Sequence, residues 1–338
     1  MGNKNSNGNS SRSNILWIVA GIYLLYSGFT LVRDAVNGVA ASSPFIPVAG
    51  VAFLIIGAGL LFAGAKNSIK AQKDEEQRQE AQSRRGVLVV SFGTSYDDTR
   101  AKTIDKIEDE IRAVCPENPF YTAWTSSIIR RKLQERDGVH VNDVQEALAE
   151  MKKDGIREVI VQPTFILRGH EFDKMKEQFM VCEGDFDKVT ICDSLIMSEE
   201  DERKIAELLA EEYHLTDDEV LLFMGHGTDH AANVLYGEMN RIFEETGHGN
   251  MVMGTVEGDF SIENFVEKMK EVKPKKILLA PFMIVAGDHA CNDMAGDDED
   301  SWKNILEKEG YEVECFIKGL GEMETVRKLF AEHTQAVL

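Results

Sequence analysis

Two short stretches decide the fold: LVVSFGT at residues 88–94 and LFMGHGT at residues 222–228. Laid over one another they place Phe92 against His226 and Gly93 against Gly227, 134 residues apart. A second pair follows the same rule. VIVQPTFILRGHEFD (159–173) aligns with ILLAPFMIVAGDHACND (277–293), bringing Pro163 onto Pro281 and Gly169 onto Gly287 at a separation of 118. The runs that contain these segments, 86–93, 157–166, 219–227 and 275–285, are short, apolar and rich in β-branched residues. Such runs read as parallel strands buried on both faces. Stretches such as TRAKTIDKIEDEIRAV (99–114) and SIENFVEKMKEV (261–272) carry apolar residues at helical spacing between them. Alternating strand and helix predicts an α/β fold with ligands at the carboxyl ends of strands. The repeat predicts two similar lobes, 86–213 and 214–338, with parallel sheets facing a cleft.

Composition narrows the class. The formal net charge is -21, but residues 1–85 carry nine Lys/Arg against five Asp/Glu, so the acidity lies in the remainder. An acidic body is a poor host for polyanions, which argues against a nucleic-acid partner. Five scattered cysteines without a C-x-x-C pair argue against a disulfide framework or a zinc ribbon and fit a reducing compartment.

Residues 1–65 differ in kind. ILWIVAGIYLLYSGFTLV (15–32) and FIPVAGVAFLIIGAGLLFAGA (45–65) are uncharged and long enough to cross a bilayer core. Gly50, Gly57, Gly59 and Gly64 allow close helix approach in lipid. The two runs therefore read as a membrane hairpin, with a signal peptide cleaved after Ala40 as the rival for the first. Lys4 and Arg12 precede the hairpin, and Lys66, Lys70, Lys73, Arg78, Arg84 and Arg85 follow it, whereas the intervening loop offers Arg33 alone. By the positive-inside rule, the ends and the acidic body face the cytoplasm, in a multi-pass protein of the cell membrane. Residues 66–85 are polar, lack Gly and Pro, and read as a helical linker.

His226 stands between two glycines at the end of a strand, where the backbone can turn sharply and a ligand can come close. Alone, it reads more readily as a packed structural histidine than as a ligand. His289 shifts the balance, because it follows another strand end of the same lobe. Glu257, in GTVEGDF (254–260), follows a third apolar run. A His, Glu, His set joins borderline nitrogen with hard oxygen and suits a divalent metal. His170 and Glu171 occupy the matching loop of the first lobe, toward the cleft, while His230 reads equally as a neighbour of the site and as a surface residue. There is no G-x-S-x-G elbow, no Walker loop and no G-x-G-x-x-G after a strand, so serine hydrolysis and nucleotide use lack support.

The segments LVVSFGTSYDDTR (88–100), WTSSIIRRKLQERDG (124–138), FMGHGTDHAA (223–232), GTVEG (254–258), IVAGDHACNDMAGDDEDSW (284–302) and KGLGEMETVRKLFAEH (318–333) together resemble the anaerobic CbiK-type sirohydrochlorin cobaltochelatases. The likeness covers essentially all of 86–338. It implies a class II chelatase, a two-lobed α/β protein related in fold to ferrochelatase. Such enzymes insert a divalent metal into a tetrapyrrole without ATP, as a step in cobalamin synthesis. Carried over by position, the resemblance makes His226, Glu257 and His289 the metal set and His226 the proton acceptor. It makes Co²⁺ the substrate metal and sirohydrochlorin the ring. Insertion of Fe²⁺ or Ni²⁺ is the nearer alternative, and a non-catalytic tetrapyrrole or metal carrier at the membrane is the more distant one. The hairpin departs from the family pattern, and with it come a homo-oligomer or a metal transporter as partners. A polycarboxylate ring needs basic or amide partners, for which Ser91, Phe92, Gly93, Thr94 and Arg168 are candidates, with Arg130, Arg131 and Lys132 behind them. The acidic run DDEDS (297–301) reads as the charged start of a helix.

Overall fold

The computed structural model describes residues 6–38 and 45–338. Lys4 and Ala40 of the sequence reading lie outside them. Two units emerge, 1–81 and 82–338.

In the first unit, α1 (Ser6–Val36) and α2 (Phe45–Ser83) are long helices. Their apolar parts, Ile15–Val36 and Phe45–Gln77, are long and apolar enough to cross a membrane by length and composition. The helices touch through glycines. A Cβ on Gly28 would lie 2.7 Å from the Gly50 carbonyl oxygen, and one on Gly21 would lie 2.9 Å from that of Gly57. Backbones this close exclude any larger side chain, as in small-residue helix contacts in lipid. Gly59, expected at the same contact, faces open space instead. The polar stretch after residue 65 continues the helix to Ser83.

The second unit holds two four-stranded parallel sheets. In the first, β1 (Arg85–Ser91) lies between β2 (Phe120–Trp124) and β3 (Glu158–Pro163), with β4 (Lys188–Ile191) outside β3. The second repeats this order with β5 (Glu219–Gly225), β6 (Met251–Thr255), β7 (Lys276–Pro281) and β8 (Glu312–Cys315). The register repeats as well. Val90 pairs with Pro163, and Met224 pairs with Pro281. These are the separations of 134 and 118 read from the sequence. From Gly86 to Ser91 every residue of β1 is buried, as is every residue of β5 from Val220 to Gly225. That is why both strands show as unbroken apolar runs. The edge strands β4 and β8 are half-buried and polar on one side, which hid them from the apolar pattern.

The helices follow their apolar stripes. In α4 (Ile104–Val114), Ile104, Ile107 and Ile111 face inward, and in α10 (Ile262–Val272), Ile262, Phe265, Val266 and Met269 do so. The single helix expected over 99–114 is divided into α3 (Asp97–Lys102) and α4 by Thr103, at φ -118° and ψ -82°. The buried Thr103 hydroxyl donates to the Thr99 carbonyl at 2.7 Å, an oxygen it shares with the Thr103 amide at 3.0 Å.

Two helices cross between the sheets. α8 (Glu199–Tyr213) follows the first sheet in sequence but packs on α9 (Val234–Glu245) of the second, where Arg203 pairs with Glu245 at 2.5 Å. α12 (Glu324–Val337) closes the second lobe in sequence but packs on α4 and β3 of the first. The buried Thr334 hydroxyl donates there to Gln162 Oε1 at 3.0 Å. One apolar cluster accordingly includes Val87, Val89 and Ile111, Phe223 and Phe243, and Phe330.

Glu108 on α4 is half-buried, and its carboxyl is pushed up to about 7, first by loss of hydration and then by Asp105. The folded chain therefore holds this proton more tightly than the unfolded one, and stability falls as pH rises from the ordinary carboxylate range through about 7. Glu108→Gln is expected to raise the melting temperature at pH 8, a gain that fades near pH 4, as thermal melts at the two values will show.

Candidate metal-binding site

The strands of both sheets end where the turns begin. Residues 226–229, 256–259 and 285–289 follow β5, β6 and β7 in a row of neighbouring strands. Gly227 has φ +79°, and a Cβ there would stand 1.9 Å from the carbonyl oxygen of Glu257. Only glycine fits. That contact brings the two loops together, and the Glu257 amide donates to the His226 carbonyl at 3.0 Å.

His289 comes to the same place by another route. It precedes a π-helical turn, Ala290–Met294, and its ring lies 4.8 Å from that of His226, centroid to centroid, at 87°. The sequence-predicted histidines therefore meet. Glu257 is tied to them through its backbone. Among the described residues, the side chains do not gather into a closed set of three or more metal-holding groups.

The hydrogen bonds of the two rings carry chemical information. His226 Nδ1 contacts the Gly227 carbonyl oxygen at 2.9 Å, and His289 Nδ1 contacts Asp293 Oδ2. A carbonyl oxygen has no proton to give, and neither has an ionised carboxylate, so each Nδ1 is the donor. A neutral imidazole whose Nδ1 is the donor keeps its lone pair on Nε2. Two imidazoles this close, with no partner for either Nε2 among the described residues, can hold a cation or take up protons.

Other cleft residues bind the lobes to each other. Tyr96 donates its hydroxyl to Asp288 Oδ1 at 3.0 Å, and this bond pushes the Tyr96 phenol up. His170 at the start of α7 (His170–Val181) meets Asp229 at 2.5 Å, and His230 meets Asp173 at 3.2 Å. The bond from His170 holds the Asp229 carboxyl below its ordinary value. The two rings stand 5.1 Å apart. His230 Nδ1 also accepts from the Ala232 amide at 3.0 Å, so it caps a short 3-10 turn.

Of the proposed ring-binding residues, Phe92 is the most open, at 46% exposure, and it occupies in the first lobe the position of His226 in the second. Gly93, at φ +103°, has the Trp124 ring against it, where a Cβ would come within 2.5 Å. Ser91 and Thr94 are buried, and Ser91 accepts from Thr164 at 2.8 Å. Arg168 is engaged with Asp193 at 2.9 Å and stacks over Phe172. Arg130 pairs with Asp143, and Lys132 lies 5.9 Å from the Tyr96 ring centre. After the acidic run, the side chain that caps α11 (Trp302–Lys308) is Ser301. Sequence reasoning missed Asp293 as a partner of His289, although its i+4 spacing was a usable signal. Nothing in the linear pattern pointed to Tyr96 or Asp229, whose partners lie in the other lobe.

The family profile described as cobalt chelatase (CbiK) matches residues 85–338. A sirohydrochlorin cobaltochelatase of Salmonella typhimurium is 33% identical over 256 residues, spanning 75% of this chain and 97% of that one. Sirohydrochlorin cobaltochelatase CbiKC of Nitratidesulfovibrio vulgaris is 28% identical over 282 residues, spanning 81% and 96%. Among solved structures, SirB from Bacillus subtilis with Fe³⁺ superposes with a TM-score of 0.52 at 11% identity, covering 74% of this chain and 93% of that one. This last likeness concerns the fold.

Gly227→Ala is expected to lower stability by about 1–3 kcal/mol, since it combines positive φ with a collision against Glu257. Gly287→Ala, where a Cβ meets nothing within 4 Å, is the neutral control in the same thermal melts.

Proposed function

The chain belongs to the CbiK cobalt chelatase family, and from that premise we propose that it inserts Co²⁺ into sirohydrochlorin without ATP, as a step toward cobalamin. The observation that supports this most directly is the pair of adjacent, nearly perpendicular imidazoles, His226 and His289, each with Nδ1 engaged. The two-lobed fold and the family's relatives support it from outside the site.

In this reading the two Nε2 atoms hold the incoming Co²⁺, and Glu257 offsets its charge from the neighbouring loop. The ring exchanges two N–H protons for the metal, so charge is conserved when both protons leave. As the metal passes from imidazole to pyrrole nitrogens, Nε2 of His226 becomes free to accept one of them. Imidazole suits this role because its ordinary titration falls near neutral pH. Phe92, open at the end of β1, is placed to meet a flat ring, and the turn 91–94 shapes the wall behind it. Arg168 serves the ring's carboxylates after exchanging its partner Asp193.

We place the chelatase body on the cytoplasmic face of a membrane, with α1 and α2 as a two-helix anchor. Their apolar lengths and the lysines at 66, 70 and 73 support this orientation.

The test is absorbance of sirohydrochlorin with Co²⁺ and the full-length chain in detergent. Many rings metallated per protein are expected, and a halt at one ring per protein would mean a carrier. Repetition with Fe²⁺ and Ni²⁺ ranks the metals. His226→Ala is expected to cut turnover by about 10²–10⁴-fold, and a variant running at the wild-type rate would remove His226 from the mechanism.

A further inference from the structure

His226 and His289 reach the same point with different supports. His226 leans on the backbone carbonyl of Gly227, which its own chain turn supplies and no side chain contributes. His289 leans on a side chain, Asp293 Oδ2, four residues further along. Both belong to the same feature, since His289 precedes and Asp293 lies inside the π-helical turn Ala290–Met294. Single-turn π segments recur at functional sites, where they re-aim side chains. A parallel bond stiffens this one, because Asn292 Nδ2 donates to Asp288 Oδ1 at 3.1 Å, also four residues apart. Asp288 is in turn held by Tyr96 of the first lobe. The Asp293 carboxylate thus receives His289 Nδ1 within a turn fixed from both lobes.

We infer that Asp293 is a positioning residue for the metal-transfer step: it holds the His289 proton on Nδ1 and so presents Nε2 as a metal ligand. The inference rests on His289 being a ligand, as proposed above. The physical need is plain. A free neutral imidazole divides its proton between its two nitrogens and turns about its side-chain bonds. A carboxylate on Nδ1 settles both the tautomer and the ring orientation before the metal arrives. Partners of this kind are worth about 10–100-fold in metal affinity where they support ligand histidines. Asp293 itself does not enter the coordination set in this scheme.

The experiment measures Co²⁺ binding by the full-length protein in detergent, without tetrapyrrole, for wild type, Asp293→Asn, Asp293→Ala, His226→Ala and His289→Ala. In parallel, nitrogen NMR of histidine-labelled, metal-free wild type reads which ring nitrogen of His289 carries the proton. The expected result is an Nδ1-protonated His289 in wild type. Asp293→Ala should weaken Co²⁺ binding by about 10–100-fold, with circular dichroism unchanged and Nδ1 occupancy at His289 reduced, whereas Asp293→Asn, whose amide oxygen still accepts from Nδ1, should lose less. Wild-type Co²⁺ affinity in both Asp293 variants, with the histidine variants impaired, overturns this inference and leaves the ligand assignment standing. Unchanged affinity in the histidine variants overturns the ligand assignment itself. A wild-type His289 protonated on Nε2 overturns the inference whether or not any variant folds.

Discussion

The exchange of terminal helices between the two sheets is the interaction on which the remaining architecture depends. α8 leaves the first sheet to cover the second, and α12 returns from the second to cover the first. Buried residues of both lobes thereby join one apolar cluster, with Ile205 and Leu209 of α8 and Val326 and Phe330 of α12 at its seams. Two lobes with separate cores would meet through a wetter, looser interface and move against one another by default. A shared core instead sets the distance between the loop ends. The contacts that cross the cleft, Tyr96 to Asp288 and His170 to Asp229, require that distance to be held.

The site is an outgrowth of strand order. β5 lies between β6 and β7, so the loops that follow these strands lie side by side. Gly227 then removes the last obstacle, because it alone permits the Glu257 carbonyl to sit where a Cβ would be. In the first lobe the equivalent Gly93 also has positive φ, but a Cβ there would meet the Trp124 ring, and Phe92 replaces the histidine. One scaffold thus offers polar chemistry on one side of the cleft and an exposed aromatic on the other. The difference lies in side chains added to equivalent turns, consistent with function residing in sites grafted onto folds.

The unevenness of what the sequence reveals has physical causes. Strands buried on both faces must be apolar throughout, so β1, β3, β5 and β7 were visible, together with the repeat that pairs them. Edge strands such as β8 answer to water on one side and lose that signal. The helix over 99–114 carried the right period, yet it breaks at Thr103, whose φ of -118° and ψ of -82° lie outside the helical region. The apolar runs at 15–32 and 45–65 were equally plain, while which glycines make the contact depended on helix rotation. Gly50 and Gly57 face α1, and Gly59 does not.

By itself the sequence determined the class of fold, the two-lobe repeat, the apolar N-terminal helices, and His226, Glu257 and His289 as residues of interest. These follow from burial period and from residue types standing at strand ends, which are properties of the chain in one dimension. Tertiary structure alone decided that the rings of His226 and His289 lie 4.8 Å apart, that Asp293 supports one of them, and that the terminal helices change lobes. Those facts join residues distant in sequence, or depend on which way a ring is turned. Only the closed chain sets such distances and directions, because they arise from packing across elements and not from the period within any one of them.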